Sequence, residues 1–298
     1  MTLFSRATLT MMAGVLASAA MAALYVRGGT AWPLGFVFLV PWLRTLDASA
    51  TLGGTLLRAW MMALAFTAAA FAWFAIAFGN YVQVGPVTGL ALLLLAAPLF
   101  QPQFFAYALV RRIVVRRHGR ALGALAAAAA WVATEWLVPK LLGDTLGHGL
   151  YPSRLLRQGA DVGGAAGLTL LLLLANEGTA AALVRRAGGW RAAGAALAWA
   201  ALAPLTLAVY GVAVLSAPPA PATQSLRMGV IQSNLVNYER QRQDKGTHAV
   251  VREVLDTHFA MSYDAVVRQH ADAVLWSETA YPTTFSRPKS KAGAAFDR

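Results

Sequence analysis

Seven stretches of this 298-residue chain are apolar over lengths near the roughly 20 residues that a helix needs to cross a bilayer. They cover about residues 7–25, 32–46, 57–78, 87–110, 121–138, 164–184 and 192–215. Backbone N–H and C=O groups in hydrocarbon must be paired within the protein, so such stretches fold as spanning helices. The second stretch is short and contains Pro41, which predicts a kinked, tilted or partial span. Gln101–Pro102–Gln103 predicts a kink in the fourth. The interiors read as free of ionisable groups, with Gln101, Gln103 and Asn176 as polar exceptions, which disfavours a coupled transporter. Trp32, Trp42, Trp60, Trp131, Trp136 and Trp190 fall near segment ends, as interface anchoring favours. Trp73 and Trp199 lie deeper and are expected to pack inside.

A chain 58% hydrophobic and 13% charged is not an ordinary soluble protein. Its excess of positive charge sits in the apolar part. Residues 1–225 hold 15 Lys/Arg against 5 Asp/Glu, whereas residues 226–298 hold 10 against 8. Cations between apolar segments report membrane orientation rather than nucleic-acid binding. One side collects Arg6, Arg44, Arg58, the cluster Arg111, Arg112, Arg116, Arg117 and Arg120, then Arg185, Arg186 and Arg191. The other has Arg27, Lys140, Arg154 and Arg157. The positive-inside rule places the N-terminus in the cytoplasm and residues 226–298 outside, in a multi-pass membrane protein. Arg6 and the small residues Ala17–Ser18–Ala19 mimic a signal peptide, but the first segment is read as an uncleaved span.

Residues 216–225 contain Pro218, Pro219 and Pro221 and read as an extended linker. Beyond it the periodicity changes. Residues 226–234 and the apolar run Ala273–Trp276 read as strands, and between them Val251, Leu255, Phe259, Ser262 and Val266 form a helical stripe. Strand, helix, strand implies a right-handed parallel crossover. The second strand ends at Ser277, Glu278 and a Tyr281–Pro282 turn, where open α/β sheets place their chemistry.

The run from Val230 to Asn234, the helix, and Val274–Pro282 together resemble the start of the carbon–nitrogen hydrolase (nitrilase) domain that follows a polytopic membrane region in bacterial apolipoprotein N-acyltransferases. Glu135–Trp136 and the run Gln158–Gly167 resemble that family's connection between its fifth and sixth helices. The resemblance implies a membrane domain at 1–215, the linker at 216–225, and at 226–298 the incomplete N-terminal part of an extracytoplasmic αββα domain. It implies transfer of an acyl chain from a phospholipid, through a cysteine thioester, to the N-terminal diacylglyceryl-cysteine of a lipoprotein. Glu278 matches the catalytic general base, in a motif whose usual Pro is Ser277 here. The resemblance also implies a bacterial cytoplasmic (inner) membrane location with residues 226–298 periplasmic, and no cofactor, metal or nucleic acid.

Other candidates are weaker. His118, His148, His248, His258 and His270 show no metal-ligand spacing. His148, Arg154 and Arg157 on the loop after Glu135 could meet lipid headgroups, or be an ordinary loop residue and interface anchors. A cysteine-thioester site needs a base, a cation and a thiolate. The chain has no cysteine, and Lys289 and Lys291 read as loop residues close after Glu278. The chain is therefore expected to be a fragment, inactive by itself. A membrane-anchored nitrilase-like amidohydrolase and a non-catalytic scaffold or transporter remain as alternatives.

Overall fold

The computed structural model describes residues 5–140, 143–218, 224–232, 234 and 238–277. The chain separates into two units, Met1–Pro218 and Pro219–Arg298.

In the first unit, α1 (Arg6–Val26) and α3 (Leu52–Tyr81) begin where the Ser5 and Thr51 hydroxyls accept from the backbone N–H groups of Thr8 and Gly54. The short α2 (Val40–Asp47) precedes α3, and α4 (Pro86–Phe100) and α5 (Gln103–His118) follow it. Gly119, at φ 85°, turns the chain from α5 into α6 (Arg120–Leu137). Then come α7 (Ala160–Arg185) and α8 (Trp190–Ser216). Among the described residues, four helical stretches are long and apolar enough to cross a bilayer: Arg6–Val26, Leu52–Tyr81, Leu156–Gly188 and Ala193–Ser216. The pair α4 and α5, bent by 40° at Gln101–Pro102, makes a fifth if it is one span.

That differs from seven regular helices for physical reasons. The expected span at 32–46 is a 3-10 segment, Gly29–Phe36, followed by the eight-residue α2. Its backbone groups are paired by side chains of other helices. Asn176 Oδ1 accepts from Leu39 N at 2.8 Å, Asn176 Nδ2 donates to Gly35 O at 2.9 Å, and Ser18 Oγ accepts from Trp42 N at 2.9 Å. Irregular backbone at membrane depth survives where protein supplies such partners. The expected span at 121–138 lies in α6, which has 18 residues and carries Arg120 and Glu135 at its ends.

The core forms around aromatic rings. Trp42 meets Phe104 edge-on at 5.4 Å, and Phe104 meets Trp131 at 4.7 Å. Both indoles are fully buried, whereas Trp73 and Trp199 are 59% and 64% exposed, the reverse of their expected roles. Proximity to a segment end was a poor guide, because α2 and α6 carry these indoles on faces turned towards α5. Trp60, Trp136 and Trp190 are exposed, as anchors would be.

In the second unit, β1 (Met228–Ile231) and β2 (Ala273–Trp276) pair in parallel, Met228 opposite Ala273 and Ile231 opposite Trp276. Between them lie α9 (Tyr238–Lys245) and α10 (Thr247–Tyr263), which runs on through a π turn, Asp264–Arg268. Val251 and Leu255 are buried as the stripe predicts, but His258 and Ala265 take the inner positions expected for Phe259 and Val266.

Candidate functional site

Parallel pairing brings the C-terminal ends of both strands to the same edge, so Gln232 and Ser277 leave the sheet as neighbours. Trp276, the last residue of β2, is held firmly there. Its Nε1 donates to Ser262 Oγ at 2.8 Å, and its ring lies 5.1 Å from His258 and 5.0 Å from Phe259. His258 Nδ1 is 2.7 Å from the Val254 carbonyl, which requires the proton on Nδ1. This histidine packs the strand end against α10. Glu278, the expected base, lies outside the described residues, together with Tyr281, Pro282, Lys289 and Lys291.

Two polar networks, one at each end of the first unit, tie its helices together. At the Arg-rich end, Arg111 and Glu177 are almost wholly buried. Arg111 donates from Nε and from Nη2, the latter at 3.0 Å, to the two oxygens of Glu177, and Tyr107 donates its hydroxyl to Oε1 at 2.8 Å. Arg111 also reaches Asp47 at 2.9 Å, and Arg120 reaches Asp47 at 3.0 Å and Glu177 at 3.7 Å. Two cations and two carboxylates from α2, α5, α6 and α7 thus neutralise one another. This corrects two expectations. Glu177 is an ionisable residue inside an apolar segment, and Arg111 is a buried partner rather than a loop cation. The signal was present, because Tyr107 and Arg111, four apart, share one helix face. Arg112 and Arg116 donate to the carbonyls of Ser49 and Ala50, fastening the α2–α3 turn.

At the other end, Glu135 accepts from Lys140 Nζ at 2.8 Å and from the Thr145 hydroxyl at 2.7 Å. Thr145 Oγ1 lies 2.6 Å from Thr169 Oγ1, which accepts from Gly147 N at 2.8 Å. His148 Nδ1 accepts from the Thr145 backbone N–H at 3.4 Å, a local loop contact. Tyr25 donates its hydroxyl to the Leu146 carbonyl at 2.6 Å. Arg157 donates to the Tyr151 carbonyl at 3.0 Å and stacks over its ring, so its guanidinium is engaged locally; Arg154 is exposed. Glu135, His148 and Arg157 thus build the loop that follows α6.

Helices of spanning length, a broken segment paired by buried side chains, and charges neutralised in the interior define a multi-helix membrane protein. Its residues 13–177 match the family described as the apolipoprotein N-acyltransferase N-terminal domain, and the chain belongs to that family. The match spans α2 to α6 and the loop network around Glu135, and ends at Glu177. None of the curated proteins compared with the chain matches it significantly.

Proposed function

We propose that the chain comprises a membrane domain, 1–215, a linker, 216–225, and at 226–298 the opening of a nitrilase-like domain on the extracytoplasmic side of a bacterial inner membrane. Seven passages would carry the chain there, one through the broken segment Gly29–Asp47 and one through the bent α4–α5 pair. The reaction would be transfer of an acyl chain from a phospholipid to the N-terminal amine of a diacylglyceryl-cysteine lipoprotein. The observation that carries this reading is the family match over residues 13–177. The parallel strand pair supports it, because β2 leads directly into Ser277 and Glu278.

In this reading, Glu278 accepts the proton of a cysteine thiol. The thiolate attacks the phospholipid ester carbonyl, the ester C–O bond breaks, and the lysophospholipid oxygen leaves with a proton. The lipoprotein amine then attacks the thioester, forming the amide and returning the thiol. A membrane platform brings lipid donor and lipid-anchored acceptor to one site. The 298 residues contain no cysteine, so the thiol must come from other polypeptide sequence.

The test is N-acylation of a lipoprotein in cells depleted of their own acyltransferase. Residues 1–298 alone should give none, and activity from them would refute the assignment of a cysteine nucleophile. In a complete protein that includes the thiol, Glu278→Gln should lower acylation by about 100-fold or more, as expected for loss of a general base. Unchanged acylation would remove Glu278 from the mechanism.

A further inference from the structure

Between α6, α7 and α8, at the Arg-rich end of the first unit, lies a groove of about 500 Å³. That volume is within the roughly 300–1,000 Å³ of small-molecule sites. Its long walls are apolar, with Leu174 from α7 and Trp199 and Leu202 from α8, and these side chains are only partly covered by protein. One end is different. Arg120 and Arg185 line it, together with Glu177, whose carboxylate is already occupied by Arg111 and Tyr107.

Three groups at that end lack a counterpart. Arg120 uses Nη2 for Asp47 and Glu177, but its buried Nε has no hydrogen-bond partner. Arg185 is exposed and makes no hydrogen bond or ion pair among the described residues. The N-terminus of α6, whose residues Arg120, Ala121 and Leu122 line the groove, has no side-chain cap, and the backbone N–H groups of these three residues have no partner among the described residues. The neighbouring Arg186, by contrast, stacks on Trp190. A helix N-terminus with two guanidinium groups suits a phosphate. The apolar walls beside it suit an acyl chain.

We propose that this groove binds an anionic phospholipid, its phosphate against Arg185, Arg120 and the first turn of α6, and an acyl chain along Leu174, Trp199 and Leu202. Asp47 and Glu177 offset Arg111 and Arg120, and Arg44, 3.9 Å from Asp47, leaves that cluster one positive charge in excess; Arg185, which lines the groove without a carboxylate partner among the described residues, adds the direct attraction for the anion. The groove is lined wholly by residues of the first unit, and its occupation does not depend on acyl transfer.

Trp199 provides the readout. The full chain is reconstituted into phosphatidylcholine vesicles doped with brominated phosphatidylglycerol or, in parallel, brominated phosphatidylcholine, whose bromines quench tryptophan on contact. The expected result is stronger quenching by the anionic lipid, lost in Trp199→Phe and retained in Trp73→Phe, an exposed indole on α3 outside the groove. Arg185→Glu should lower the apparent affinity for brominated phosphatidylglycerol about tenfold, the loss of one charge-assisted contact. Arg185→Gln should lower it less, and Arg191→Glu, outside the groove, should leave it unchanged. Equal quenching by the two lipids would overturn the proposal. So would an anionic preference that survives Arg185→Glu, or one that Arg191→Glu abolishes equally, since the latter is general surface attraction.

Discussion

Glu177 follows a run of five leucines and Ala175–Asn176, a position where an ionised carboxylate is tolerable only if its charge is cancelled on the spot. Arg111 performs that neutralisation through a two-point contact, with Tyr107 filling a further acceptor position and Asp47 taking the remaining face of the guanidinium. Removing one member strands the other in a low-dielectric site. Glu177→Leu should therefore destabilise the protein by about 3–5 kcal/mol, and Arg111→Leu by a similar amount. The double variant should recover most of one loss, because Asp47 and Arg120 still pair with each other. Thermal unfolding of the three variants in detergent measures this, and strictly additive losses would show that the pair is not coupled. The sequence did not reveal the arrangement. Arg111 stands among five arginines between 111 and 120, and the one local cue that it turns inward, Tyr107 four residues before it, does not name the distant Glu177 as their partner.

The broken passage from Gly29 to Asp47 is the element on which the bundle depends most visibly for its backbone pairing. Pro33 and Pro41 remove two donors, the chain turns from 3-10 to α geometry near Val37, and the Gly35 carbonyl and the Leu39 and Trp42 N–H groups around that break pair with Asn176 and Ser18. The prolines were legible in the sequence. Their partners were not, because Asn176 lies 137 residues from Leu39 and a lone polar residue in an apolar run does not name what it bonds. The stripe on α10 was legible to within one position. His258 instead of Phe259 faces inward, with its Nδ1–H donated to its own helix and its ring packed on Trp276, although its buried Nε2 has no hydrogen-bond partner among the described residues. Asn176→Leu should leave the Leu39 N–H and Gly35 carbonyl unpaired, at about 1–3 kcal/mol each. Thr179→Ala on the same helix, whose hydroxyl bonds only its own turn, should cost well under 1 kcal/mol by comparison, as a local side-chain-to-backbone contact that competes with the helix. Equal melting temperatures for the two variants would mean that the broken segment does not rely on Asn176.

At the scale of the whole chain, the segregation of charge was legible, and the contacts group the same residues. Arg44, Arg111 and Arg120 converge on Asp47, Arg112 and Arg116 on the α2–α3 turn, and Arg185 shares a groove with Arg120. Lys140 belongs to the opposite network with Glu135 and Thr145, where Arg157 also lies beside Tyr151. Neutralisation of Arg111 and Arg120 by Asp47 and Glu177 weakens their topogenic pull, but Arg6, Arg117, Arg186 and Arg191 have no carboxylate partner among the described residues. The bias towards one end therefore persists, and the proposed orientation, with that end in the cytoplasm, rests on the positive-inside rule. A reporter that is active only outside the cytoplasm should be silent when inserted between Arg117 and Arg120, and active when fused after Arg298. Both results are needed, because the first reads the Arg-rich end and the second reads the side reached by the Glu278 segment. Reporter activity between Arg117 and Arg120 with silence after Arg298 would invert the orientation. It would also refute the acyltransferase reading, since the proposed base would then face the cytoplasm, away from lipoproteins matured on the outer face.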